Sequence, residues 1–181
     1  MQIFIPDQAR ACLQLLGMVG NVSPNVISAN INVLIEHGLE NGDYKMAHDT
    51  CLVLLKIPAS TKSSSPDVPP FRLPQDHELF QKLDRLIMEG IDNTKDDHYI
   101  PMAQQAIMVI YQLSDEPDKR TSEICRKLSL KLAEKPKSTV LLRRTYAVVG
   151  HVAVGQVLHF ENYLKKNCSC LVGLTVLWFL F

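Results

Sequence analysis

A run of cations, and no catalytic set, is the most chemically suggestive feature of this 181-residue sequence. Lys119, Arg120, Arg126, Lys127, Lys131, Lys135, Lys137, Arg143 and Arg144 crowd a single stretch. Helical spacing puts Lys127 and Lys131 on one face and Lys119 with Arg126 on another. Contacts to nucleic-acid phosphates need only point charges held in this way, without groups that read bases. Lys119, Arg120, Arg126, Lys127, Lys131, Arg143 and Arg144 are therefore candidate contacts for nonspecific binding of double-stranded DNA. The plainer alternative for the same residues is the polar outer face of a packed helix.

The other reactive residue types do not assemble into a recognisable site. His37, His48, His77, His98, His151 and His159 are scattered, and none belongs to an HExxH helix or accompanies a nucleophile motif. His151 and His159 share one helix face, with Cys168 and Cys170 a little beyond. A Cys-x-Cys without a second cysteine pair does not specify zinc. Asp92, Asp96 and Asp97 surround a short turn that lacks the length and ligand spacing of a calcium loop. Gly17, Gly20, Gly150 and Gly155 lie in or at the ends of apolar segments, where they cannot form a phosphate-cradling loop. The sequence thus describes a chain that is not an enzyme and takes no cofactor, metal or small-molecule substrate. Ser63, Ser64 and Ser65 precede Pro66, the pattern a proline-directed kinase reads. Phosphorylation at Ser65 would add roughly −2 charge, the alternative being an ordinary solvated linker.

Composition bounds the partners. The formal charge is zero, with 21% charged and 46% hydrophobic residues, so the chain can bury a sizeable core and carries no global attraction to nucleic acid or anionic membranes. The charge is nonetheless segregated: Met1 to Leu113 holds 8 basic and 13 acidic residues, and the remainder holds 11 and 6. Two differently charged solvated faces, or a patch for DNA or an acidic partner, would produce this asymmetry. Five cysteines are an odd number, and Cys12, Cys51 and Cys125 fall within apolar helical stretches. Reduced thiols buried as small hydrophobes, in cytosol or nucleus, are expected. The opening MQIFIPDQAR has no basic region followed by an apolar run, so no secretory signal is expected.

Apolar residues recur at helical spacing nearly everywhere. The first helix carries Ala9, Cys12, Leu13 and Leu16 and closes near Gly20. In the second, Ser23 is the expected N-cap and Pro24 the first helical residue, with Ile27, Ile31, Leu34 and Ile35 in one stripe and Gly38 as the stop. A third starts near Asp43 with Ala47, Cys51, Leu54 and Leu55, and a fourth follows Pro74 with Leu79, Leu83, Leu86 and Ile87 before Gly90. A fifth begins near Pro101 and a sixth after Pro117. The seventh carries Leu142, Tyr146, Val149, Ala153, Val157, Phe160 and Leu164, and this sustained stripe predicts helix through the valine-rich VVGHVAVG.

Alternate helices share a small residue followed by an apolar run, at Ala9, Ala47, Ala103 and, more weakly, Ala147. The steps are 38, 56 and 44 residues, and removing the 18-residue stretch 58–75, with its five prolines, returns the middle step to 38. Paired-helix repeats of the HEAT and armadillo type have such a period, with insertions confined to loops. The expected fold is all-α: an α-α superhelix of HEAT/armadillo-like hairpins over residues 1–166. Its Pro/Ser-rich loop spans 58–75, and an apolar tail follows at 167–181.

Several stretches closely resemble the condensin complex subunit 1 family, the HEAT-repeat regulatory subunits of condensin I. They are MQIFIPDQARACLQLLGM, SANINVLIEHGL, PPFRLP at Pro69 to Pro74, Ile100-Pro101, Tyr111 to Leu113, and GHVAVGQVLHFE from Gly150 to Glu161. The likeness runs in order over about residues 1–163 and is that of an internal or truncated segment. It implies an α-solenoid that binds the kleisin and SMC subunits of condensin and supports mitotic chromosome condensation. The implied location is the nucleus and mitotic chromosomes, with a cytoplasmic pool. Leu113 to Val140 is shorter than the charged insertion of the family. The competing readings are an unrelated HEAT-type interaction adaptor and a tail-anchored helical membrane protein.

The tail Cys168 to Phe181 bears on the last of these. It is shorter than the roughly 20 apolar residues that cross a bilayer, and it departs from the family pattern. It is expected to be extra sequence appended to a truncated solenoid, and membrane association is not expected.

Overall fold

A computed structural model describes residues 6–40, 43–57, 71–93 and 95–167. Among them the regular structure is helical. The elements are α1 (Pro6–Gly20), α2 (Asn25–Ala29), α3 (Ile31–Leu34), a π-helical turn (Ile35–Glu40), α4 (Tyr44–Leu54), α5 (Glu78–Asn93), α6 (Tyr99–Leu113), α7 (Pro117–Glu134) and α8 (Thr139–Asn167). Local chemistry sets several boundaries. The Asp43 carboxylate accepts the Met46 N–H at 2.8 Å and caps α4. Pro117 opens α7, where its missing N–H would have no helical partner.

The second expected helix is interrupted. Asn30 turns its amide back onto the Val26 carbonyl at 2.8 Å, splitting the segment into α2 and α3. The cap position falls on Pro24, and the Ser23 side chain does not close it. Gly38 does not end the segment either: it lies in the π turn, where a β-carbon would stand 2.2 Å from Thr50 Oγ1. This glycine is required by close approach to α4, and a helix stop is not its role. Gly90 is likewise internal to α5.

The helices form two layers. α1, α4, α6 and α8 pack side by side in that order, and the π turn, α5 and α7 form the second row across them. The first layer contains the four segments whose alanine spacing predicts repeats, so the expected superhelix of helical hairpins is present. One continuous core joins all of it, from Leu13 in α1 to Val152 in α8. At its centre α6 buries Tyr99, Met102, Ala103, Ala106, Ile107, Val109, Ile110, Tyr111 and Leu113. An apolar face this broad needs more than one neighbour to cover it, and α4, α5, α7 and α8 all pack against α6.

Neighbouring side chains satisfy the helices' last carbonyls, which have no partner within their own helix. Lys56 Nζ donates to Gly17 O of α1 at 2.5 Å. Gln112 Nε2 donates to Leu55 O at 2.8 Å and to Ile57 O, just past α4. Arg72 Nη1 donates to Tyr111 O, Gln112 O and Ser114 O at 3.1, 2.5 and 3.2 Å, closing α6. Beside it Leu73 makes a single parallel bridge with Ser114: Leu73 N–H donates to Leu113 O at 2.7 Å and Asp115 N–H to Leu73 O at 3.1 Å. Residues 71–75 are therefore docked onto the stack, and not part of a wholly solvated loop. Ser63, Ser64, Ser65 and Pro66 lie outside the described residues.

Two expectations about burial change. Cys12 is exposed, whereas Cys51 is buried and Cys125 half-buried. In α8 the buried face is Leu141, Thr145, Val148, Val152 and Gly155, while Tyr146, Ala153 and Val157 of the expected stripe face outward. Both sides of α8 are apolar, so spacing alone could not select the packed one. VVGHVAVG is helical, as its flanking stripe predicts.

Arg72→Ala should lower the unfolding free energy by about 2–3 kcal/mol, the scale of hydrogen bonds from a charged donor. Arg72→Lys should fall between the two, because an ammonium cannot reproduce the fork of the guanidinium. Chemical denaturation measures both; a loss below about 0.5 kcal/mol for the alanine variant, a surface-like effect, would count against the docked strap.

Candidate nucleic-acid interface

The candidate cations divide by direction. Arg120 lies over the Phe80 ring, 5.0 Å from its centroid, pairs with Asp84 at 3.1 Å and donates to the Gln75 carbonyl. Its side chain is 10% exposed and that of Asp84 18%. Lys127 reaches the same carboxylate at 3.8 Å. Burial pushes the Asp84 carboxyl above its ordinary range despite the pull of Arg120 and Lys127.

One turn further along, Lys131 donates to Met88 O at 2.6 Å and reaches Asp92 at 3.4 Å, which Lys135 also holds at 2.6 Å. The hydrogen bond from Lys135, joined by the charge of Lys131, keeps the Asp92 carboxyl below its ordinary range against the opposing effect of burial. Arg144 lies over the Tyr99 ring, 5.1 Å from its centroid, and donates to Gly90 O and Ile91 O at 3.2 and 3.3 Å. Arg120, Lys127, Lys131 and Arg144 thus bind α7 and α8 to α5, with Lys131 and Arg144 at its electronegative C-terminal end.

Lys119, Arg126 and Arg143 point outward. Lys119 pairs with Glu116 at 2.9 Å and Arg126 with Glu123 at 2.7 Å, both at exposed positions one helical turn apart. Arg143 is exposed on α8. Exposed pairs of this kind contribute little to stability, so an incoming phosphate can compete for the cations at small cost.

Other candidate chemistry is dispersed. Among the described residues no group of three or more His, Cys, Asp or Glu side chains is placed to hold a metal. His151 is half-buried on α8, and the side chains of His159, Cys168 and Cys170 lie outside the described residues. Burial pushes the Cys51 thiol up to about 12, and raises that of Cys125. In the turn before α6, Asp96 Oδ1 accepts the His98 N–H at 2.8 Å, a local turn-forming bond. No described helix is long and apolar enough to cross a membrane.

No family model matches the chain. Condensin complex subunit 1 of Xenopus laevis is 31% identical over 172 residues, covering 88% of this chain and 12% of that protein. The Mus musculus protein of the same name is 31% identical over 176 residues, and the Homo sapiens protein 32% over 177; each match covers 87% of this chain and 13% of the relative. The chain is a relative of one segment of condensin complex subunit 1. It spans about an eighth of the length of these relatives.

Three of the condensin-like stretches meet at one joint. Arg72 of PPFRLP closes the end of α6 formed by Tyr111 to Leu113. Tyr111 Oη lies 3.1 Å from Thr121 Oγ1 and donates to Val152 O at 3.3 Å, within GHVAVGQVLHFE. The Tyr111 ring covers Gly155, where a β-carbon would stand 2.3 Å from Cε2. This joint of α6, α7, α8 and the strap was not found from sequence, although Tyr111, Gln112 and Arg72 all lie in stretches that carry the condensin likeness.

Asp92 and Asp84 predict opposite acid responses. The folded value of Asp92 lies below its ordinary 3.8, so its stabilisation is complete above that pH and is lost as pH falls through the lowered value. Asp84 is raised from 3.8, so folding gains from its protonation as pH falls from the raised value towards 3.8. Urea unfolding from pH 2 to 6 should show the advantage of wild type over Asp92→Asn constant above about pH 4 and shrinking below it. The Asp84→Asn comparison should change in the other direction. Parallel curves for all three proteins would contradict both assignments.

Proposed function

We propose that this chain is a non-catalytic scaffold segment of the condensin regulatory-subunit type. It supports mitotic chromosome condensation by binding kleisin and SMC partners, in the nucleus and on mitotic chromosomes, with a cytoplasmic pool. The observation that carries this reading is the 31–32% identity to condensin complex subunit 1 over 87–88% of the chain. The stacked helical layers support it, since repeats of this kind present extended surfaces for other chains. In this reading the outward cations Lys119, Arg126 and Arg143 contact DNA phosphates. Arg120, Lys127, Lys131 and Arg144 hold the surface that displays them. Ser65 is the proposed phosphorylation site, placing negative charge in the segment between α4 and the strap.

Two measurements test the reading. Tagged chain added to mitotic extract should recover kleisin and SMC subunits under conditions where the full-length regulatory subunit recovers them; recovery by the full-length subunit alone would overturn the scaffold assignment. In a salt titration of duplex binding, changing Lys119, Arg126 and Arg143 together to Ala should reduce the slope of log K against log salt by up to about 3, near 0.9 for each lost contact. An unchanged slope would dismiss the phosphate contacts.

A further inference from the structure

A protein kinase holds its substrate as an extended segment, and many kinases use carboxylates of their own to read a lysine or arginine two positions before the hydroxyl. Among the described residues five hydroxyls follow such a cation: Thr121, Ser122, Ser129, Thr139 and Thr145. Thr121 and Thr145 are buried. Ser122 and Ser129 are exposed but lie inside α7, which would have to unwind to present them. Arg120, the cation before Ser122, is moreover held by Asp84, the Phe80 ring and the Gln75 carbonyl, and Ser129 Oγ donates to Cys125 O at 2.9 Å. Thr139 differs from all four. It is exposed, and Lys135, Pro136 and Lys137 ahead of it are exposed and belong to neither α7 nor α8. Val140 after it is 53% exposed. Thr139 opens α8, and helix ends fray readily. Ser138 beside it is half-buried, with its Oγ accepting the Leu141 N–H at 3.3 Å.

The surroundings suit the product as well as the substrate. From Lys135 to Phe160 the sequence holds Lys135, Lys137, Arg143 and Arg144 and no acidic residue. Arg143 is exposed on α8 four residues beyond Thr139, the spacing that brings side chains together on a helix. Neither Arg143 nor Lys137 has an ion pair among the described residues, whereas Lys119 and Arg126 are already matched with Glu116 and Glu123.

We propose that Thr139 is a phosphorylation site for a protein kinase that reads the lysine two positions before it, and that the phosphate pairs with Arg143. In the transfer Thr139 Oγ1 bonds to the γ-phosphorus of ATP, the bond from that phosphorus to the bridging oxygen breaks, ADP leaves, and the hydroxyl proton passes to the kinase. The product sets roughly two negative charges one helical turn from a guanidinium that lacked a partner. Arg143 then gains a charge-assisted hydrogen bond and is withdrawn from the outward basic surface.

The test uses the full 181-residue chain with ATP and a recombinant kinase selected on peptides for lysine or arginine two positions before the acceptor, the modified residues being mapped by mass spectrometry. Wild type and Thr139→Ser should both be phosphorylated at position 139, and Thr139→Ala should lose that label while keeping the helical circular dichroism of wild type. In a phosphorus NMR titration of the modified chain, the second phosphate pKa should lie about 0.3 unit below that of modified Arg143→Gln, the size expected of one exposed pair at this spacing. The start of α8 is common to both proteins, so the difference reads the Arg143 side chain alone. Phosphate placed on Ser122 or Ser129 in place of Thr139, or no phosphate on the folded chain, overturns the proposal. Equal phosphate pKa values in the two proteins overturn it as well, since Arg143 would then not hold the group.

Discussion

Everything in this fold depends on covering α6. Its buried residues, from Tyr99 and Met102 to Tyr111 and Leu113, occupy more than half of its circumference, a wider face than one partner helix in a hairpin can cover. α4 and α8 cover it within its own layer, while α5 and α7 cover it from the second. The same requirement sets the minimum size of the stack: a hairpin containing a helix with so broad an apolar face gains stability only when its neighbours are present.

Burying helices end to end creates a second constraint, the unsatisfied carbonyls at their C-termini. The chain meets it with side chains drawn from other elements: Lys56 for α1, Gln112 for α4, Arg72 for α6, and Arg144 for α5. Two aromatic rings, Phe80 and Tyr99, receive guanidinium groups in the same seam. Many of the cations in the second half are thus anchored to the acidic first half. Much of the charge segregation visible in the sequence is neutralised inside the molecule. The basic surface left outside is smaller than the residue count suggests.

Helix positions and layering were legible because they rest on periodicity, which is local. The alanine positions Ala47, Ala103 and Ala147 identified first-layer helices despite the inserted loop. What was not legible depended on partners distant in sequence. Gly38 reads as a stop until Thr50 of α4 is known to press against it within the π turn. The packed side of α8 could not be chosen from a segment apolar on both sides. Nor could Arg120 and Arg144 be separated from Arg126 and Arg143, because spacing does not disclose which cation has a carbonyl or carboxylate waiting across the layer. Cys12 was misplaced for a similar reason: it sits in an apolar helix, on an exposed side of α1 that none of the other described helices covers.

Native-state hydrogen exchange tests the central claim most directly. If α6 is the shared interior of the stack, its amides should exchange only through global unfolding, with an opening free energy equal to that from chemical denaturation. The amides of α1 to α3, covered from fewer sides, should open more readily. Amides of α6 that exchange as fast as those of α1, or well below the global free energy, would show that the layers do not share one core and would contradict the account.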